Sequence, residues 1–183
     1  YNGSLITARQ LNGFLRHTGR NVGMFNIKIL CVGKLKEKFF ADAVAEYTKR
    51  LSAYCRIEIE ELPESRLAGA PSESEIESAL AREAGSLKLR IPRDALTIAM
   101  CIEGRELDSK QLSDFIELCG IKGKNRICFI IGGSMGLAQS IKDEANLKLS
   151  MSKMTFPHHL ARVMLLEQLY RSFKISEGAR YHK

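Results

Sequence analysis

The sequence contains no tryptophan, only four prolines, and five cysteines of which no two have the C-x-x-C spacing. Cys31, Cys101 and Cys128 lie inside apolar runs, where a free cysteine behaves as a small hydrophobic side chain. An odd set of cysteines without ligand spacing argues against a zinc site and favours a reducing compartment. We therefore expect a cytoplasmic protein that holds no metal.

Long apolar runs are missing too, and none is long enough to span a membrane. Residues 1–23 contain three arginines and no acid, but they lack the continuous apolar segment of a signal peptide. They resemble a mitochondrial presequence slightly more, and a leader or upstream read-through is the simpler interpretation. We predict that residues 1–23 lie outside the fold and that residues 24–183 form a single domain, because 183 residues with 45% hydrophobic content can bury one core.

The charge balance is moderately basic, with a formal net charge of +7 that falls to +4 without the three leader arginines. The distribution of the charges along the chain is more informative than their sum, because residues 148–183 carry seven lysines and arginines but only two glutamates. Such a balance permits a polyanionic partner without requiring one, and a solvated basic face is the alternative.

Hydrophobic periodicity predicts strands that alternate with helices. Apolar runs typical of buried strands occupy residues 26–32, 95–102 and 127–131, and residues 56–62 alternate as in a half-exposed strand. Helical spacing covers residues 36–51, 74–89, 109–118 and 138–145, with turns expected at Gly104 and Gly120. This order predicts an α/β fold with a mainly parallel sheet flanked by helices.

The loop Gly132-Gly-Ser-Met-Gly136 leaves the fourth strand and enters a helix. Glycines at the carboxyl ends of strands let the backbone approach a ligand, although many βα turns need glycine for geometry only. The loop is neither a phosphate-binding G-x-x-x-x-G-K-[ST] motif nor the G-x-G-x-x-G dinucleotide fingerprint. Its position after the fourth strand disfavours an ordinary Rossmann enzyme.

A last helix is predicted from Pro157 onwards, because apolar residues then recur at helical spacing and proline is tolerated in a first turn. His158 and His159 are adjacent, so they should point about 100° apart and cannot chelate one ion together. Arg162 precedes no acid at i+4, so its charge is not neutralised along the helix. Glu167 and Arg171 stand at i and i+4 and are expected to form a structural ion pair. Core or interface positions are expected at Leu160, Val163, Leu166 and Leu169. The terminal Tyr181-His182-Lys183 is either a frayed tail or a segment folded over a site.

Several of these segments, taken in order, resemble the ribosomal RNA large-subunit methyltransferase H family of the SPOUT (α/β-knot) superfamily. The resemblance begins at Met24 and extends to Lys183. Its motifs are Ile-Lys-Ile-Leu-Cys-Val-Gly-Lys-Leu-Lys-Glu-Lys, Ile-Ile-Gly-Gly-Ser-x-Gly-Leu, Leu-Ser-Met-Ser-Lys-Met-Thr-Phe-Pro-His, the arginine at position 162, Leu-Glu-Gln-Leu-Tyr-Arg and the terminal Tyr-His-Lys.

The resemblance implies a homodimer that transfers a methyl group from S-adenosylmethionine to N3 of a pseudouridine in large-subunit ribosomal RNA of the assembled ribosome. It also implies a C-terminal trefoil knot, which is an exception to the rule that chains do not thread loops. No metal and no membrane are involved. By motif match, the cofactor-binding residues would be Met100, Gly132, Gly133, Met151, Ser152, Lys153, Met154, Thr155 and Phe156.

Methyl transfer from a sulfonium is an in-line displacement, so positioning supplies much of the rate. The N3 proton must leave, and negative charge develops on the ring. His158, His182 or Tyr181 would relay the proton and Arg162 would stabilise the charge, with Arg162 and His182 as the preferred candidates. Arg171 and the lysines would position phosphates.

Two other hypotheses stay open at this stage. The first is another SPOUT methyltransferase, which would act on tRNA or on a ribose hydroxyl; the lack of an additional RNA-binding domain and the terminal Tyr-His-Lys oppose it. The second is a catalytically silent RNA-binding or ribosome-binding α/β protein, which the unbroken segment 151–156 opposes.

Overall fold

The computed structural model describes residues 23–178. The proposed leader and the residues Tyr181, His182 and Lys183 lie outside this range. Within it, five strands alternate with five helices. The strands are β1 (Phe25–Val32), β2 (Cys55–Leu62), β3 (Leu96–Glu106), β4 (Arg126–Ile131) and β5 (Leu147–Ser150), and the helices are α1 (Lys38–Leu51), α2 (Glu73–Lys88), α3 (Ser109–Ile121), α4 (Gln139–Glu144) and α5 (His158–Ser176).

The strands form one sheet in the order β2-β1-β4-β3-β5, and every pairing is parallel. The predicted parallel α/β fold is therefore confirmed. β4 lies in the centre and is buried from Ile127 to Ile131, whereas β2 at one edge is buried only at its two ends, Cys55 and Leu62. Because all strands run the same way, their carboxyl ends meet at one edge of the sheet.

Alternating residues of the strands build a core on each face of the sheet. Ile27, Ile29 and Phe129 pack on one face with α1, α3 and α5, while Leu30 and Ile130 pack on the other face with α2 and α4. This period of two is what a strand covered on both faces requires. Within residues 23–178, no helix combines the length and the apolarity needed to cross a membrane.

Two predicted turns are wrong. Gly104 does not turn the chain, because β3 continues to Glu106, and a Cβ at Gly104 would lie 2.7 Å from the backbone of Leu149. The glycine there serves the close approach of β5, whose pairing with β3 shifts register between Met100 and Arg105. Gly120 likewise does not end α3, which extends one residue further.

Candidate cofactor pocket

A pocket of about 810 Å³ lies at the carboxyl edge of the sheet. The ends of β3, β4 and β5 form its base, and the glycine loop 132–136, the segment 151–157 and the first turn of α5 form its walls. Its volume is typical of sites that enclose a small organic ligand or cofactor.

The glycine loop folds back tightly on itself. A Cβ at Gly132 would lie 2.1 Å from the carbonyl oxygen of Gly136, so no larger residue fits there without moving the backbone. Gly136 has a φ of +80°, which favours glycine, and its N–H donates to the carbonyl of Gly133 at 3.0 Å. These glycines are therefore required by the shape of the loop.

Glu64, which follows β2, holds this loop from behind. Its Oε1 accepts a hydrogen bond from the backbone N–H of Ser134 at 2.6 Å, and a Cβ at Gly133 would lie 2.6 Å from the same oxygen. Burial opposes ionisation of Glu64, but the hydrogen bonds from Ser134 outweigh it and lower the pKa of the carboxyl. The next residue, Ser65, donates its N–H to Glu83 of α2 at 2.7 Å. The loop is thereby anchored to the helix layer.

Serine side chains shape the segment that follows β5. The Ser150 hydroxyl donates to the carbonyl of Ser152 at 2.9 Å and accepts from its N–H at 3.2 Å. The Ser152 hydroxyl then accepts from the N–H of Met154 at 3.0 Å. Such local bonds stabilise irregular backbone, which explains why Met151 to Phe156 form neither helix nor strand.

The structure brings together eight of the nine cofactor residues predicted from the sequence: Met100, Gly132, Gly133, Met151, Ser152, Met154, Thr155 and Phe156 all line the pocket. The ninth does not. Lys153 is absent from the lining, its side chain is 75% exposed, and its ammonium lies 3.6 Å from a carboxylate oxygen of Glu106.

Sequence reasoning missed the outer half of β3 as a pocket wall. Cys101, Ile102 and Glu103 line the pocket, and Glu103 forms an ion pair with Lys142 of α4. The bond from Lys142 lowers the pKa of Glu103. No signal in the sequence marks these residues, because their exposure to the pocket follows from the shift in the β3–β5 register.

His158 lies at the rim of the pocket, where a Cβ added to Gly33 would meet its Nε2 at 2.7 Å. Burial lowers the pKa of His158, and the neighbouring His159 and Arg162 lower it further. The carboxylate of Glu64 acts in the opposite direction but does not prevail, so the imidazole is neutral at pH 7. The predicted divergence of the two histidines is wrong, since their ring centroids lie 3.8 Å apart. Cβ directions determine only where side chains leave the backbone, and the later torsions bring the rings together.

Arg162 does not line the pocket. Its side chain is 1% exposed, it forms an ion pair with Glu61 at the end of β2, and its Nη2 donates to the carbonyl of Gly33 at 3.1 Å. The charge of Arg162 is not neutralised along the helix, as expected, and in the folded protein the compensating acid comes from another element. In this structure Arg162 thus braces the backbone after β1.

The other predictions for α5 agree with the structure. Arg171 bonds to Glu167 at 3.0 Å through Nε. Leu166 and Leu169 are buried in the core, whereas Leu160 and Val163 are half-buried.

Among residues 23–178, no cluster of three or more histidine, cysteine or acidic side chains has the arrangement of a metal site.

The fold and the pocket together define an α/β protein that holds a small ligand at the carboxyl edge of a parallel sheet. Residues 25–182 match the family model described as "Predicted SPOUT methyltransferase", and the chain belongs to this family. S-adenosylmethionine is the methyl donor of the family. The pocket fits that cofactor, because two glycines give close access to backbone groups and Met100, Met151 and Phe156 supply apolar surface.

Curated relatives narrow the class to homologues of ribosomal RNA large-subunit methyltransferases. The chain is 48% identical over 159 residues to ribosomal RNA large subunit methyltransferase H 1 of Clostridium perfringens, covering 86% of this chain and 99% of the relative. It is 45% identical over 157 residues to ribosomal RNA large subunit methyltransferase H of Streptococcus equi subsp. zooepidemicus, with the same coverage. A solved methylase family protein from Neisseria gonorrhoeae shares the fold alone, with a TM-score of 0.50 at 10% identity over 84% of this chain and 85% of that one.

Proposed function

We propose that this protein transfers the methyl group of S-adenosylmethionine to N3 of a pseudouridine in large-subunit ribosomal RNA. The observation that carries the proposal is the convergence of Met100, the glycine loop and the segment 151–156 on one pocket, together with relatives named for this RNA. When bound, S-adenosylmethionine supplies an electrophilic methyl group on a sulfonium.

The protein's own contribution is mainly positioning. The glycine loop, held by Glu64, presents backbone groups to the cofactor, and the serine-shaped segment closes the opposite wall. His158 is neutral at the pocket rim, so it is a competent acceptor for the proton that leaves N3. Tyr181 and His182 keep their proposed role as proton-handling groups from the C-terminal segment, and Arg162 is assigned to positioning.

A homodimer is part of the proposal. α5 carries apolar side chains on more than one side, and apolar side chains that the core does not cover favour contact with another surface. Leu165, Leu166 and Leu169 face the core, but Leu160 and Met164 stay half-buried on the other side. A second copy packed against this side would cover them and would enlarge the RNA-binding surface of a small domain. We further propose that the C-terminal part is threaded as a trefoil knot and that the protein acts on assembled ribosomes in the cytoplasm.

The decisive experiment incubates the protein with methyl-labelled S-adenosylmethionine and either 70S ribosomes or isolated tRNA. Label in large-subunit RNA, located by nucleoside mass spectrometry as N3-methylpseudouridine, is the expected result. Label confined to tRNA would instead support the alternative of another SPOUT specificity. Calorimetry with S-adenosylmethionine tests the catalytically silent alternative, which predicts no heat of binding.

A further inference from the structure

Four aromatic rings form a continuous row from the pocket to solvent. His158 and His159 line the pocket with ring centroids 3.8 Å apart, and His159 stacks on Phe40 of α1 at 5.9 Å with an interplanar angle of 29°. Phe40 contacts Phe39 at 4.3 Å, and Phe39 at the end of the row is 65% exposed. The row joins the first turns of α1 and α5, which both begin at the carboxyl edge of the sheet.

The loop between β1 and α1 lies beside this row and is rigidly held. Glu61 accepts the backbone N–H of Leu35 at 3.0 Å, and Arg162 donates to the carbonyl of Gly33 at 3.1 Å. The side chains of Lys34 and Lys36 project from this braced backbone and are exposed. A fixed backbone presents both ammonium groups without the entropy cost of ordering a mobile loop.

The charges around the row leave these two lysines available. Lys38 is paired with Asp42 at 2.6 Å, and Glu37 is an exposed acid on the same loop. Within residues 23–178, no carboxylate oxygen forms an ion pair within 4 Å of the ammonium of Lys34 or Lys36, although the charge of Lys34 acts on Glu61 from a greater distance. Two exposed cations without a close ion pair therefore lie on the loop that leads to this exposed aromatic ring, next to a pocket that holds a reactive cofactor in the proposed function.

We propose that this row is an RNA-stacking platform: Phe39 stacks on an unpaired base adjacent to the target nucleotide, and Lys34 and Lys36 bind the neighbouring phosphates. The inference rests on the proposed function and specifies which surface of the protein contacts the RNA substrate. Aromatic side chains bind splayed bases of single-stranded segments through their π-faces, and lysines bind the backbone. A second copy of the chain fits this surface less well, because it would bury two unpaired ammonium groups.

The test uses the full-length protein and measures the Kd for 70S ribosomes by filter binding alongside methylation kinetics. Phe39→Ala should weaken ribosome binding about tenfold, as expected for one lost base stack, and Phe39→Tyr should restore it. Lys34→Gln combined with Lys36→Gln should also weaken binding and should lower the slope of log K against log salt by about 1.4. The affinity for S-adenosylmethionine should stay within about twofold, which separates substrate contact from general damage to the fold.

Matched controls are available on the same molecule. Leu89→Ala removes a side chain that is 85% exposed at the end of α2, and Lys49→Gln removes an exposed cation from the last turn of α1. Both should leave ribosome binding unchanged.

Three results would separate the outcomes. Unchanged ribosome affinity in the Phe39 and lysine variants overturns the platform while leaving the proposed function intact. Conversion of Phe39→Ala to a monomer in analytical ultracentrifugation also overturns it, because the row would then be an interface between copies. A wild-type protein that binds ribosomes through this surface but transfers no methyl group would refute the proposed function and support the platform.

Discussion

Arg162 is buried and forms an ion pair with the half-buried Glu61, although the two residues lie 101 positions apart in the sequence. Glu61 is the penultimate residue of β2, Arg162 lies in the second turn of α5, and together they bind the backbone at Gly33 and Leu35. One interaction thus joins the ends of β1 and β2 to the helix that borders the candidate cofactor pocket. This position makes the pair a brace for the carboxyl edge of the sheet.

Arg162→Ala should lower the free energy of unfolding by about 3 kcal/mol, because it leaves a half-buried carboxylate without its partner. The variant should still bind S-adenosylmethionine, since Arg162 does not line the pocket, and it should lose turnover on ribosomes. Urea unfolding, calorimetry and methylation assays measure the three quantities. The control is Arg50→Ala, which breaks an exposed pair with Glu46 and should cost about 0.5 kcal/mol. An equal cost for both variants would contradict the bracing role.

The same pair predicts how stability depends on pH. Burial of Glu61 opposes its ionisation, but the bonds from Arg162 and Leu35 prevail and lower its pKa below the ordinary value of 4.5. A lowered folded-state pKa contributes stability above pH 4.5 that is lost as the pH falls through the folded value. Urea unfolding between about pH 7 and pH 3 should show less acid sensitivity in Glu61→Gln than in the wild type. Identical curves would exclude Glu61 as a contributor.

Glu64→Ala should weaken binding of S-adenosylmethionine about tenfold, because the glycine loop loses a charge-assisted hydrogen bond at Ser134. Glu64→Gln keeps an oxygen acceptor and should retain most of the affinity. Isothermal titration calorimetry measures both, and Glu77→Ala, which removes an exposed acid of α2, is the control. Should Glu64→Ala bind the cofactor like the wild type, the loop would hold its shape without this anchor.

Gly33→Ala should destabilise the protein by about 1–3 kcal/mol, since Gly33 has a φ of +93° and the new methyl group would meet His158. Repeating the substitution in a His158→Ala background removes the contact and leaves only the backbone strain. A double-mutant cycle from urea unfolding separates the two contributions. Gly69→Ala, which has no neighbour within 4 Å of the added Cβ, serves as the control. No coupling between the two sites would show that His158 moves aside freely.

Cys101 should be the most reactive thiol among the five cysteines, and S-adenosylmethionine should protect it. Burial raises the pKa of Cys31, Cys55 and Cys128 to about 12 and that of Cys119 to about 11. Cys101 is half-buried and lines the pocket. Alkylation of the native protein, mapped by mass spectrometry with and without cofactor, checks this. Equal labelling in both samples would place the cofactor away from the outer half of β3.

The lining of the candidate cofactor pocket was largely expected from the family resemblance, whose motifs include the glycine loop and the segment 151–156; spacing and hydrophobic period alone do not assign these residues to a cofactor. The glycine loop and the segment 151–156 keep their relation to β4 and β5 wherever those strands lie. Lys153 is the one expected residue that does not line the pocket. Side chains along this irregular segment point to different sides, and that of Lys153 points to solvent. Cys101 and Glu103 were not predictable, because their exposure depends on a register shift that follows no local pattern.

Hydrophobic period and turn residues act over short distances, so the sequence predicted four of the five strands, the five helices, the parallel sheet and the position of the glycine loop, but not the short strand β5. Which charges are neutralised and which rings are in contact depends instead on how the helices pack against the sheet. Arg162 has no acid within a helical turn, yet Glu61 neutralises it. His158 and His159 share a row with Phe39 and Phe40 only because α1 and α5 begin at the same edge of the sheet. Such contacts join segments distant in the chain, so only the packed fold specifies them.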